Sequence, residues 1–128
     1  MDLTALLASM DPVLAPDVHV FVTTRTPPDI PARMRFEEAE GTTLILTRDA
    51  AEEAGLEYEF PCRMITLNVH SALEAVGFIA HIATKLAAAG MGVNPVAGFY
   101  HDHLFVPEDR AEDAMAVLRE IIAEASAA

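Results

Sequence analysis

Val18, Val20 and Val22 alternate with His19, Phe21 and Thr23, the two-residue period of a strand with one buried face. Upstream, Leu3, Leu6 and Leu7 share one side of a short helix over residues 2–9, ended by Asp11-Pro12. Downstream, TRTPPDIP is turn chemistry; two strands follow at 34–39 and 42–47 around Glu40-Gly41, then a short helix from Asp49 to Ala54, and Pro61 marks a boundary. The second half predicts a strand over 63–69, a long helix over 71–89 stopped by Gly90, strands over 93–99 and 102–106, and a terminal helix over 108–125. On a helical wheel of 71–89, Leu73, Val76, Ile79, Ala80, Ala83, Leu86 and Ala87 fill one broad arc, with Glu74, His81 and Lys85 opposite. That helix is expected to lie on a sheet. Phe78 falls on its polar stripe, and an exposed phenylalanine there argues for a homodimer.

The two halves are related. LILTRDAAEEA (44–54) and LFVPEDRAEDA (104–114) are identical at five of eleven positions at an offset of 60 residues, and both read as strand, turn, helix. Helix 2–9 and strand 18–23 then take the places of helix 71–89 and strand 93–99. A duplicated unit of this order belongs to the α+β class, on the ferredoxin-like plan βαββαβ, with antiparallel sheets and helices on one face. The first unit, residues 1–61, lacks its opening strand and the second, 62–128, its closing one, so two tandem units could complete one another.

Composition narrows the partners. The chain has 128 residues, of which 52% are hydrophobic, enough for one domain or two small ones with a common core. Twenty acidic residues against eight basic ones give a net charge of -12, so phosphate neutralisation cannot drive binding to nucleic acid or anionic lipid. Cys62 is the only cysteine, which excludes an internal disulfide and a thiolate zinc site and suits a reducing cytoplasm. MDLTALLASMDP carries an aspartate where a signal peptide would be basic. The apolar stretch Val76–Gly90 falls short of the ~20 residues a membrane span needs. No membrane association is expected.

Three motifs carry candidate chemistry. His101 and His103 bracket Asp102, and in a strand the two histidines point one way and the aspartate the other. The pair could chelate a metal, or form a solvated strand opening. Ser71-Ala72-Leu73-Glu74 is a capping box, with Ser71 able to cap the helix and Glu74 to reach back to the cap amide. It leaves a helix N-terminus suited to a ligand carboxylate. Gly77 in the first turns costs ~1 kcal/mol against alanine, which close approach of a ligand or a neighbouring helix would explain. Neither Ser71 beside His70 nor Cys62 has the surroundings of a catalytic nucleophile. No enzyme and no cofactor are expected.

Residues 63–107, RMITLNVHSALEAVGFIAHIATKLAAAGMGVNPVAGFYHDHLFVP, resemble the ACT domain, a βαββαβ module that binds amino acids and related small molecules in regulatory proteins. HSALEAVGFIA followed by AGFYHDHLFVP, with FEEAEGTTLIL upstream, is more similar to a bacterial family of small tandem ACT proteins of undetermined function. A more distant resemblance is to CASTOR, the ACT-built arginine sensor of animal cells. It implies that ligand-contacting carboxylates fall on Glu74 and Asp102, with the site completed across a homodimer because this chain has half as many units. The expected ligand-binding set is Glu74, Gly77, Asp102, Ser71, Val76 and Tyr100, around a small molecule that is expected to be an amino acid. No metal is expected, with His101 and His103 the alternative. An interaction protein that has kept the fold without a ligand is the other rival.

Overall fold

The computed structural model describes residues 2–69, 73 and 75–128. Its elements in chain order are α1 (Leu3–Ala8), β1 (Val13–Thr24), β2 (Met34–Glu37), β3 (Thr42–Thr47), α2 (Arg48–Glu53), β4 (Glu59–Thr66), α3 (Phe78–Ala88), β5 (Asn94–Ala97), β6 (Asp102–Pro107), a 3-10 turn (Glu108–Arg110) and α4 (Ala111–Ala127). Two compact units form, one from Met1–Ala15 with Arg63–Ala128 and one from Pro16–Cys62. The short first helix therefore belongs with the C-terminal half.

In the unit formed by residues 16–62, the strand order is β2-β3-β1. The strands are antiparallel, with Phe21 opposite Ile45 and Val22 opposite Leu44, and with Met34 opposite Ile45. Val20, Val22, Leu44 and Leu46 alternate onto one face and pack with Ala51 of α2, as the two-residue period requires. Thr47 caps α2, its Oγ1 accepting the Ala50 N–H at 3.2 Å. Cys62 is buried, and its thiol donates to the His19 carbonyl at 3.3 Å.

In the other unit the order is β4-β6-β5, with β5 and β6 antiparallel and Ala97 opposite Asp102. Ile65, Leu67, Leu104 and Val106 form the floor of its core, roofed by Leu6 and Leu7 of α1, Phe78, Ile82 and Leu86 of α3, and Ala114, Leu118 and Ile121 of α4. The spacing along α4 is the i, i+3, i+4, i+7 stripe of a helix on a core.

Four expectations change. The helix expected from Ser71 begins at Phe78, after non-helical Ala75–Gly77; the capping box of Ser71 and Glu74 lies outside the described residues. Gly77 is the N-cap, at φ 89°, a left-handed conformation open to glycine at little cost. With the start moved, the buried stripe becomes Phe78, Ile82 and Leu86, while Ala80 and Ala87 are exposed. Phe78 is 2% exposed, so the dimer argument built on it falls. A wheel that counted Leu73 and Val76 as helical had turned the arc away from Phe78. Finally, aligning β3 and α2 with β6 and α4 sets β1 against β4, and the loop after β1 against α3. Helix 2–9 is not the counterpart of α3.

Candidate functional site

Asp102 opens β6 on the helix-covered face, in register with Leu104 and Val106, which are both core residues. Its backbone carbonyl accepts the Leu67 N–H at 3.1 Å, tying that end of β6 beside β4. Across the same face, Gly77 ends the β4–α3 connection and starts α3. Gly77 and Asp102 line one cavity of about 320 Å3, together with Phe78, Ile79 and Ala80 at the head of α3 and Gly98 at the end of β5.

The charges at this cavity are arranged in two ends. Among the described residues no side chain caps α3; its first internal bond runs from the His81 N–H to the Gly77 carbonyl at 3.0 Å. The amides of Phe78, Ile79 and Ala80 therefore have no acceptor within the helix, and they carry the positive end of its dipole. Asp102 supplies the negative group. It is the only titratable side chain among the described lining residues. The cavity can hold a molecule carrying both charges.

Gly98 was not among the expected site residues. Its N–H donates to the His101 carbonyl at 2.9 Å, closing the turn between β5 and β6. A Cβ there would stand 3.0 Å from that carbonyl oxygen and 3.3 Å from His103 Nε2. A glycine inside the expected strand 93–99, directly before two aromatic residues, was the available sequence signal.

The remaining expected residues divide. Val76, next in the chain to Gly77, is 90% exposed, and Tyr100 is 67% exposed at the tip of the turn, edge-on to Phe99 with ring centres 5.1 Å apart. Neither is among the residues lining the cavity. Ser71 and Glu74 lie outside the described residues. His103 Nδ1 is 2.9 Å from Thr66 Oγ1, and His101 Nδ1 is buried without a hydrogen-bond partner among the described residues. Among the described residues no group of three or more His, Cys, Asp or Glu could hold a metal ion, and no helix is long and apolar enough to cross a membrane.

Two ACT-domain models match the chain, one over residues 1–63 and the other over 59–120. Among solved structures it is similar to a Vibrio cholerae protein of unknown function, described as a possible transport protein. That match has 42% identity and a TM-score of 0.85, over 94% of this chain and 96% of the other. The regulatory subunit of aspartate kinase from Thermus flavus shares the fold at 12% identity and a TM-score of 0.65, over 86% of this chain and 95% of that one. An Agrobacterium tumefaciens protein does so at 15% identity and 0.73, over 88% and 89%. No curated protein matches. The chain belongs to the ACT-domain family, as a tandem pair.

Proposed function

We propose that this protein is a non-catalytic regulatory module that binds a free amino acid in the cavity between Gly77 and Asp102. The carrying observation is that one cavity joins a helix N-terminus, capped by no described side chain, to a carboxylate. The ligand carboxylate sits on the amides of Phe78–Ala80, as anions do at helix starts, and its ammonium pairs with Asp102 in a charge-assisted hydrogen bond. Ser71 and Glu74 precede this helix in the chain and add to the same site in this reading, with Val76 and Tyr100 at its rim. The small ACT-domain ligands of regulatory proteins are of this class.

The protein acts as a homodimer in this reading. Leu73, Val76, Phe99 and Tyr100 are 67–90% exposed, and each lines the cavity or lies within two residues of a lining residue; an apolar rim of that kind is what a partner surface covers. A cytoplasmic setting is in keeping with the single, unoxidised Cys62. The test is a thermal-shift screen of the twenty amino acids at millimolar concentration, since a ligand at 100 times its dissociation constant stabilises by ~2.7 kcal/mol. A shift for one or two related amino acids supports the reading. No shift with any of them refutes it.

A further inference from the structure

The segment 25–33, RTPPDIPAR, stands in the unit of residues 16–62 where the other unit has α3. Pro27, Pro28 and Pro31 fix φ at three of its positions. It is tied down along its length: the Thr26 N–H donates to Thr24 Oγ1 at 3.1 Å, the Ile30 N–H to the Pro28 carbonyl at 3.0 Å, and the Arg33 N–H to the Ile45 carbonyl at 2.6 Å. Ile30 packs against the core of that unit. A loop so held is a preformed wall.

A thin loop covers less than a helix does, and what it leaves open is a cleft of about 420 Å3 reaching β1, β3 and α2. That is within the size range of small-molecule sites. Leu46 and Ala50 give it an apolar side, and His19, Arg33 and Thr47 a polar one. Thr47 Oγ1 already accepts the Ala50 N–H, so its own O–H is left to donate. The Arg33 guanidinium makes no hydrogen bond or ion pair with any described residue. In a chain with 20 acidic residues and 8 basic ones, an arginine in a cleft without a carboxylate partner is notable, since a guanidinium is built to fork onto one. His19, directly opposite Thr47 across the strand pair, is 1% exposed and its Nδ1–H donates to the Asp17 carbonyl at 3.2 Å. Its place is fixed before any ligand arrives.

We propose that this cleft is a second binding site, for a small monocarboxylate whose charged end meets Arg33 and Thr47 and whose short apolar body lies on Leu46 and Ala50. It is separate from the cavity at Gly77 and Asp102, and it requires a different ligand class, because its polar side offers no carboxylate for an ammonium.

The experiment is an amide-resolved NMR titration of the full chain with sodium propionate, against sodium chloride at equal ionic strength. Saturable shifts at His19, Arg33 and Thr47 are expected, weakened about tenfold or more in Arg33→Gln, partly kept in Arg33→Lys and unchanged in Asp102→Asn. Arg33 is exposed, and the spectrum of each variant reports directly whether it has folded. Propionate shifts no larger than those of chloride would overturn the proposal, as would equal affinity in Arg33→Gln or saturation at Gly77–Ala80 instead. Inorganic phosphate binding tighter than propionate would overturn the carboxylate assignment.

Discussion

Asp102 and His103 are neighbours in the chain and face opposite sides of their sheet. Asp102 lines the cavity at the head of α3, whereas His103 Nδ1 sits 2.9 Å from Thr66 Oγ1, on a residue that alternates with the core residues Ile65 and Leu67. The His-Asp-His motif is thus split by the strand's own period, with only its middle residue at the cavity.

The split predicts weak metal binding. Zinc holds firmly with three or four protein ligands, and the described residues bring no such group together. Titration calorimetry with zinc should show no equimolar, saturable binding that His101→Ala plus His103→Ala abolishes. Tight binding lost in that double variant would restore the histidines as the site.

Removing the charge of Asp102 tests the amino-acid reading. Asp102→Asn keeps the shape and hydrogen-bonding reach but loses the carboxylate, and a charged hydrogen bond is worth ~1.5–3 kcal/mol. Affinity for whichever amino acid gives a thermal shift should fall by about one to two decades, with circular dichroism unchanged. Undiminished affinity would move the ammonium subsite elsewhere.

Gly77 should tolerate no side chain cheaply. At φ 89° an alanine pays the left-handed penalty of ~1–2 kcal/mol, while among the described residues its Cβ would meet only Leu3 Cδ2, at an ordinary 3.4 Å. Gly77→Ala should therefore destabilise by about that amount in urea without a packing clash. No loss of stability would mean that the cap relaxes out of the left-handed region.

The strands, the terminal helix and the strand-turn-helix likeness of 44–54 to 104–114 were legible because strand alternation and the α4 stripe depend on local periodicity alone. The head of α3 was not. Leu73, Val76 and Gly77 fit a helical arc as sequence, and nothing local says that Ala75–Gly77 are non-helical or that Gly77 turns left-handed. Asp102 was reached through a family resemblance, and the facing of strand residues explained why it and not the histidines reaches the cavity. The cleft at Arg33 was hidden because it depends on which element of the repeat is missing. Only the alignment of β1 with β4 shows that a loop replaces a helix.

Phe78 offers a clean check of the corrected helix face. At 2% exposure, among Leu6, Ile82 and Leu104 in one core, its truncation leaves a void as well as losing its transfer energy. Phe78→Ala should cost about 3–5 kcal/mol, read as a shifted urea midpoint. A cost below about 1 kcal/mol, with a change in mass by light scattering, would return Phe78 to a surface role.

His19 gives a pH dependence of known sign. Burial holds its pKa below the ordinary value of 6.5; the Asp17 carbonyl and the Asp17 charge partly oppose this, and Arg33 adds to it. The folded chain therefore keeps His19 neutral where the unfolded chain takes up a proton. Its contribution is fully present above pH 6.5 and is lost as pH falls through 6.5 toward the depressed folded value. Acidification also relieves the self-repulsion of a chain at -12, so the comparison has to be between variants. On going from about pH 8 to about pH 5.5, the native chain should lose more stability, or gain less, than His19→Gln does in the same urea titrations. Parallel curves for the two proteins would mean that His19 titrates alike in both states, and that its burial carries no charge penalty.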